Sequence, residues 1–562
     1  VQFDAIVIGS GITGGWAAKE LTEAGFKTLV VERGPHVEHV KDYADSRAPW
    51  QDENRGLVAE TEVAEHYSVQ GACYAFNSET KRFFVRDSDH PYLTPKERPF
   101  HWYRGYQLGG RSLIWGRQTY RWSDTDFEAN KRDGFGVDWP IRYADIAPWY
   151  DHVERFAGIS GSHEDLPQLP DGAFQPPMEL TCIEADLKRR LESKYPTRKL
   201  IIGRCAHLTH PTDEQIALGR APCQFQKKCE RGCSFGAYFS SLSATLPAAR
   251  RTGNLLVETD SIVSEILYDT ATSRASGVRV IDARTKAGRT HRARVIFVCA
   301  STIGTAQLLL NSRSESFPRG LANRSDAVGR YLMDHVQGPY VSATYPGFDD
   351  RYYVGRRPNG CYVPRYGNVT ESLGDMTRGF ALQGDSWRDD WHRGAHTADI
   401  GVSLKARLRR PGPWKIGFLP YAEMLPRADN RVTLHPTERD RWGIPLVEID
   451  CTHGPNDRAL IDRATLDARD MLDTLGCLDI DVQDMTYAPG EAIHEMGTAR
   501  MGRDPATSVL DGHNQAHDIA NLFITDGACM ASTACQNPSL TYMALTARAA
   551  NRAAGLLKDG ML

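Results

Sequence analysis

The residues most suited to chemistry are three cysteines in a short run, Cys223-Gln-Phe-Gln-Lys-Lys-Cys229-Glu-Arg-Gly-Cys233. Three thiolates match a 3Fe–4S cluster, in which each iron takes one protein sulfur. Structural zinc usually takes four ligands, and no cysteine or histidine follows closely after Cys233. Upstream, Cys205 and His207 keep zinc or a four-iron cluster open. The plain alternative is a loop with three thiols or one local disulfide. The remaining cysteines are scattered singly, as in Val298-Cys299-Ala300, and read as small buried thiols rather than a disulfide scaffold.

A second chemical signal opens the chain. Phe3–Ile8 is a short apolar run without alternation, the pattern of a buried parallel strand. Gly9-Ser10-Gly11-Ile12-Thr13-Gly14 follows, then a helical pattern to Leu21, then a strand Lys27–Val31 ending in Glu32. Gly9 suits the tight turn, Gly11 lets a pyrophosphate approach the backbone, and Gly14 allows close helix–strand packing. The helix N-terminus offers unpaired N–H groups to phosphate, and Glu32 is placed for ribose hydroxyls. This dinucleotide fingerprint does not choose between NAD and FAD. Glu32 does argue against NADP, whose 2′-phosphate it would repel.

Further segments resemble the glucose–methanol–choline (GMC) oxidoreductase family. They are Gln107-Leu-Gly109-Gly110-Arg111-Ser112-Leu-Ile114-Trp115-Gly116, Ala300-Ser301-Thr302-Ile303-Gly304, Val328-Gly329-Arg330-Tyr331-Leu332-Met333-Asp334-His335, His494-Glu-Met-Gly497-Thr498, Asp526-Gly527 and Asn537-Pro538-Ser539. They stand in family order from residue 3 to residue 541. The resemblance implies an α/β fold: a Rossmann-type FAD-binding domain with a discontinuous α+β substrate domain, an antiparallel sheet roofed by helices. It makes the dinucleotide FAD, held by Gly9, Gly11, Gly14, Glu32 and Arg33, by Gly109, Gly110, Ser112, Trp115 and Gly116, and by Val263, Ala300, Asp526, Gly527, Asn537 and Pro538. Some relatives bind the flavin covalently through a histidine where this chain has Ile114, so a non-covalent FAD is expected.

The same resemblance assigns the chemistry. An alcohol must lose its hydroxyl proton to a base and its carbinol hydride to flavin N5. The base implied is His494, and a histidine near neutrality suits that task. Asn537 cannot take a proton, but it can orient the hydroxyl and stabilise alkoxide charge. The chain also resembles the large subunits of bacterial sugar dehydrogenases acting on glucose, fructose, gluconate and glucosides. Several of these carry a three-cysteine run followed by a Gly-Ala like Gly236-Ala237, which makes Cys223, Cys229 and Cys233 the implied ligands of a 3Fe–4S cluster. Lys227, Lys228 and Arg231 would favour thiolates and a reduced cluster, and could steer an acidic partner. Glu32-Arg33-Gly34 and Val37-Glu38-His39-Val40-Lys41-Asp42 look most like the glucoside 3-dehydrogenase branch, which implies oxidation of a pyranose C3 hydroxyl to a ketone. Gluconate, fructose or sorbitol oxidation, an oxygen-using oxidase, and a non-catalytic flavin electron-transfer subunit are the alternatives.

The elements that must position these residues divide as follows. The FAD-binding domain is expected over 1–165, 250–335 and 485–562, an irregular insertion with the cysteine run over 166–249, and the substrate domain over 336–484. Val432–Leu434 and Pro445–Ile449 read as substrate-domain strands. Asp457–Leu475 reads as a helix capped by Asn456 and stopped by Gly476. The stretch Gly384–Arg393, with Trp387 and Trp391, could be a substrate lid or partner surface. At 562 residues more than one domain is expected. With 67 Lys+Arg against 71 Asp+Glu the net charge is −4, which asks for no nucleic acid. No apolar run reaches the roughly eighteen residues of a membrane span. Val1-Gln2-Phe3-Asp4 shows no basic leader. The expected partners are a sugar or glycoside substrate, a small subunit and a cytochrome c-type acceptor. Periplasmic location would then follow from co-export with that subunit, and a cytoplasmic one from a subunit without a signal.

Overall fold

Uninterrupted apolar strands, too hydrophobic on both faces for a solvated sheet, build the framework of the nucleotide end. The computed structural model describes residues 2–43, 51, 53–226, 229–353, 357–390, 393–394, 397–485 and 487–562. Ile519–Ile524, Gly288–Val298, Gln2–Ile8, Thr28–Val31 and Leu255–Glu258 lie side by side in that order, all parallel. Their register matters for function. Ile8 stands opposite Val31 and Val298, and Val298 opposite Ile524. The loops that follow, beginning at Gly9, Glu32, Cys299 and Thr525, therefore emerge at one edge, the carboxyl end of the sheet, where open α/β sheets bind ligands. Arg274–Asp282 pairs antiparallel with Gly288–Val298, and Ser261–Asp269 pairs antiparallel with Arg274–Asp282, extending the sheet.

A second sheet is antiparallel throughout. Its order is Leu478–Val482, Val341–Tyr345, Trp414–Ala422, Phe380–Arg388, Cys361–Val363 and Ile201–Ile202. The helix Pro455–Thr474 packs against it, burying Leu460, Ala464, Ala468 and Met471, a 3–4 residue spacing that puts them on one stripe.

Several local expectations change. Arg431–Arg439 and Pro445–Asp450 pair with each other in a separate two-stranded ribbon, not in the larger sheet. The 455–474 helix is not capped by Asn456, whose side chain bonds Thr377. Gly454 is the N-cap, and its N–H donates to the Asp457 carboxylate at 2.7 Å. Gly476 does follow the helix with φ 78°, a backbone turn that glycine tolerates. Segment 166–249 is not wholly irregular, since Ile201–Ile202 adds an edge strand to the second sheet and Cys182–Lys194 forms a helix. Residues 384–388 belong to a sheet strand rather than a lid loop, while Trp391 and His392 lie outside the described residues. Among those residues, no helix is long and apolar enough to cross a membrane.

Candidate active site

A cavity of about 2070 Å³ follows the carboxyl edge of the first sheet and continues to the face of the second. At its nucleotide end the walls are backbone. Gly9 turns with φ 96°, and a Cβ on it would stand 2.4 Å from the Cys299 carbonyl oxygen. One on Gly14 would meet the Gly9 carbonyl at 1.9 Å. Gly11 differs, because its Cβ would meet nothing within 4 Å, and the residue borders the cavity. It is also the N-cap of the helix Ile12–Glu23 and makes no side-chain cap, which leaves the helix N-terminus open to an anion.

Glu32 is buried at the end of its strand. It accepts from Ser10 Oγ at 2.5 Å, from Ser10 N at 3.1 Å and from Gly34 N at 3.0 Å. Burial raises its carboxyl pKa above the usual range against these donors. Ser10 Oγ also accepts from Gly109 N at 2.9 Å, and a Cβ on Gly110 would lie 3.3 Å from Gly11 Cα, so the two glycine loops touch. The Arg33 guanidinium lies 3.9 Å from the Tyr106 ring centroid, and Val263 faces the same stretch of cavity. Ser112 braces its own loop, donating to the Gly109 carbonyl at 2.6 Å. Trp115 donates from its indole to the Phe239 carbonyl at 2.9 Å, and Gly116 and Ile114 complete that wall. Across the cavity, Ala300 precedes the helix Thr302–Asn311. Asp526 joins that helix to its own loop, accepting from Thr305 Oγ1 at 2.5 Å and Ala528 N at 2.9 Å. Burial pushes its pKa up to about 6. Gly527 is packed so closely that a Cβ would meet the Glu495 carbonyl at 2.4 Å. These residues fit a bound dinucleotide by their open backbone, not by a cluster of side-chain donors.

The reactive end lies where the two sheets face each other. Asn537 and Pro538 precede the helix Ser539–Lys558, and His494 lies on the loop after 490. A hydrogen-bonded chain joins them, and its polarity can be read from one end. His335 Nε2 lies 3.2 Å from the Thr533 carbonyl, which can only accept. Burial draws the pKa of His335 down to about 4, so the ring is neutral and its proton sits on Nε2. Its Nδ1 is then an acceptor, and His494 Nδ1, 2.9 Å away, must donate. Burial first, then His335 and Arg111, hold His494 well below the ordinary 6.5. Its Nε2 is therefore a bare lone pair, facing the Asn537 amide nitrogen at 3.1 Å. The Asn537 oxygen accepts from Gln383 Nε2 at 2.8 Å, which fixes the orientation of the amide.

Asp334 underpins this chain. Its two oxygens accept from the backbone N–H groups of His335, His494, Gly490 and Ala492 at 2.9–3.2 Å. Burial, then Glu495, pushes its pKa up to about 7 against those donors. Beside it, Arg111 and Glu495 form a bidentate pair at 3.1 and 2.8 Å. Asp334, His335 and Arg111 stand in the sequence motifs without an assigned role, and Gln383 stands in none of the catalytic ones. Only Asp334-His335, adjacent polar residues ending an apolar run, left a usable signal.

The cysteine run lies beside the same cavity, which Cys223 and Glu230 border. Burial raises the Cys223 thiol to about 12, and the neighbouring sulfurs of Cys229, Cys233 and Cys205 push the same way. The four sulfurs thus share one neighbourhood. Even so, among the described residues no three His, Cys, Asp or Glu side chains stand in a metal-holding group. The donor chemistry suits a thiolate-held cluster, while its ligand geometry is not closed. Cys229 Sγ lies 3.8 Å from His207 Nε2. Arg231 is buried and pairs with Glu79 at 3.5 Å, so it is no solvated cation for steering a partner. Lys227 and Lys228 lie outside the described residues.

Comparison with known proteins gives consistent matches over the chain. Residues 3–337 and 426–546 match the two family profiles described as GMC oxidoreductase. A 2-methyl-1,2-propanediol dehydrogenase of Mycolicibacterium austroafricanum is 28% identical, covering 98% of this chain and 94% of its own. The fructose dehydrogenase large subunit of Gluconobacter japonicus is 25% identical over 99% and 98% of the two chains. The crystal structure of pyridoxine 4-oxidase from Mesorbium loti is similar at a TM-score of 0.58, with 15% identity and 98% of both chains covered.

Proposed function

The chain belongs to the GMC oxidoreductase family of FAD-dependent enzymes acting on alcohols, and on that premise we propose that it is a sugar or glycoside dehydrogenase that oxidises a secondary hydroxyl, the pyranose C3-OH, to the ketone. The observation that carries this reading is the neutral His494 with its Nε2 lone pair turned to Asn537 at the cavity wall. Bound FAD, held without a covalent link, would supply the two-electron acceptor for the hydrogen on the alcohol carbon.

The protein's part follows from its own groups. His494 Nε2 takes the hydroxyl proton. Asn537, displaced from that nitrogen by the substrate, turns its N–H to the oxygen and stabilises the charge that develops there. His494 Nδ1 already donates to His335, so proton uptake at Nε2 requires no rearrangement of the chain. The Asp334 carboxylate holds both histidine backbones, so the base is placed before substrate arrives.

Cys223, Cys229 and Cys233 would hold a 3Fe–4S cluster, which supplies one-electron transfer when bound. The fructose dehydrogenase relative is described as a large subunit, which supports a partner subunit here; a cytochrome c-type acceptor and co-export to the periplasm complete the proposal. A gluconate, fructose or sorbitol substrate is the nearest competing reading. An oxygen-using oxidase is another.

Anaerobic titration of the holoenzyme with a panel of glycosides and sugars tests the reading. Glycosides should bleach the flavin, and NMR should find the ketone at C3. Bleaching only by gluconate, fructose or sorbitol moves the assignment to those substrates. Peroxide formed in air at the rate of turnover makes the enzyme an oxidase, and no bleaching by any alcohol makes it an electron-transfer subunit.

A further inference from the structure

The strand Phe380–Arg388 carries the cavity away from the reacting end, and its alternation fixes what it presents. Gln383 bonds Asn537 at 2.8 Å, so the face that bears it looks onto the catalytic relay. Successive side chains point to opposite faces of a sheet. Asp385 and Trp387 therefore share the face of Gln383, and Gly384 and Ser386 lie on the other. That other face is covered. A Cβ on Gly384 would lie 2.7 Å from the Phe418 ring and 3.0 Å from Cys361 Sγ, and Ser386 Oγ donates to Glu184 of the helix Cys182–Lys194 at 2.8 Å. The neighbouring strand Trp414–Ala422 continues the open face with Tyr421, Leu419 and Gly417, opposite Ala381, Gln383 and Asp385. The Tyr421 ring centroid lies 5.8 Å from that of His494.

Gly417 is the unusual member. Glycine inside a strand weakens it and marks a close approach, and here the group that approaches is Tyr340. A Cβ on Gly417 would stand 2.1 Å from the Tyr340 hydroxyl oxygen and 2.3 Å from its Cζ. The phenol end of Tyr340 thus rests on bare backbone, and its hydroxyl donates to Asp385 Oδ1 at 3.0 Å. Trp387 stands beside it, with ring centroids 6.2 Å apart and planes inclined by 33°. The indole N–H donates to Asp389 Oδ1 at 3.2 Å. Both polar ends are engaged by the protein, so what the two side chains offer a ligand is their ring faces. Tyr340, Asp385 and Trp387 all border the cavity. Trp387 is four residues beyond Gln383, about 14 Å along an antiparallel strand. That span is longer than a single pyranose ring.

We propose that Tyr340 and Trp387 form a second subsite, a platform that stacks a planar aromatic aglycone while the sugar ring occupies the reacting end beside Asn537 and Tyr421. The inference rests on the glycoside reading above and narrows its substrate class to aryl glycosides. An aromatic group gains from offset or tilted contact with aromatic side chains beyond the area it buries. A free monosaccharide at the reacting end leaves both rings in water. Asp385 is a positioning residue, holding Tyr340 against Gly417.

The test compares phenyl and methyl glycosides of one sugar on the holoenzyme, both as oxidisable substrates and as 3-deoxy analogues that lack the reacting hydroxyl. Anaerobic flavin reduction gives the limiting rate and apparent Kd of the first pair, and titration calorimetry gives the Kd of the second. The phenyl compounds should bind about tenfold more tightly than the methyl ones, with similar limiting rates. Trp387→Ala should erase that preference while methyl glycoside binding stays within about twofold of wild type. Trp387→Phe should restore part of it, and Trp387→Leu, apolar but not aromatic, should not. The phenylalanine and leucine variants carry the comparison if the alanine variant loses FAD. Equal Kd values for phenyl and methyl compounds, or a preference that survives Trp387→Leu, overturn the platform and leave the glycoside reading standing. If neither glycoside bleaches the flavin, the glycoside reading falls. The calorimetric preference for the phenyl analogue then decides the platform by itself: lost in Trp387→Leu it stands, and absent from the wild type it falls as well.

Discussion

The histidine site and the cysteine site border one cavity, yet they are built on opposite terms. Around His494 every group has its partner: His335 on Thr533, His494 on His335, Asn537 on Gln383, Asp334 on four backbone N–H groups. Around the cysteines the pairing is incomplete, with Arg117 Nε, His207 Nδ1 and His39 Nε2 buried and unbonded. The first arrangement is complete as protein. A base must be oriented before substrate arrives, and a closed network supplies that orientation. The second, among the described residues, leaves three buried ring or guanidinium nitrogens unbonded beside the sulfurs. What differs is whether the site's function lies in side-chain geometry or in the charge the pocket offers.

If that contrast holds, the largest loss should come from the closed network. His494→Ala should slow anaerobic flavin reduction by about 10²–10⁴-fold, the usual range for a positioned base, with FAD still bound. Rapid-mixing absorbance measures it, and reduction within tenfold of wild type would remove His494 from the mechanism. The wild-type rate should also hold steady as pH falls to 6.5. His494 is held below that value, and only its protonation at still lower pH removes the lone pair.

A smaller loss should follow at the second histidine. His335→Phe keeps the ring volume but removes the acceptor for His494 Nδ1. The imidazole is then free to place its proton on Nε2, the wrong nitrogen. A fall in kcat of about 10–100-fold is expected, the range for a group acting through an oriented neighbour, with KM little changed. His335→Gln, whose amide oxygen can accept, should recover part of the loss. Equal losses in the two variants would mean that His335 matters for packing and not for the tautomer.

How much of this could be read from the chain follows the same division. Gly9, Gly14 and Glu32 were legible because their constraints are local: a turn, a close packing and a strand end each act on a few neighbours. The common edge of the sheet was legible too, since apolar runs such as Ala5–Ile8 and Leu29–Val31 admit little but parallel strands. The relay was not, because Thr533, His335, His494, Asn537 and Gln383 come from separate segments, and their order depends on how the second sheet meets the first. The separate ribbon has a similar cause. Pattern identifies Val432–Leu434 and Pro445–Ile449 as strands, but not which sheet they join.

The smallest effect on flavin chemistry should come from the cysteine site, and it bears most directly on the comparison. Cys229→Ser removes the sulfur that faces His207 and should abolish cluster iron. The relay shares no hydrogen bond with Cys229, and independent sites combine with errors of about twofold. Flavin reduction by substrate should therefore stay within about twofold of wild type, while turnover with a one-electron protein acceptor falls steeply. Stopped-flow reduction and steady-state acceptor assays on the same preparation separate the two. A Cys229→Ser enzyme whose flavin reduction fell as far as that of His494→Ala would show the two regions to be one coupled site, and the division drawn between side-chain geometry and pocket charge would no longer hold.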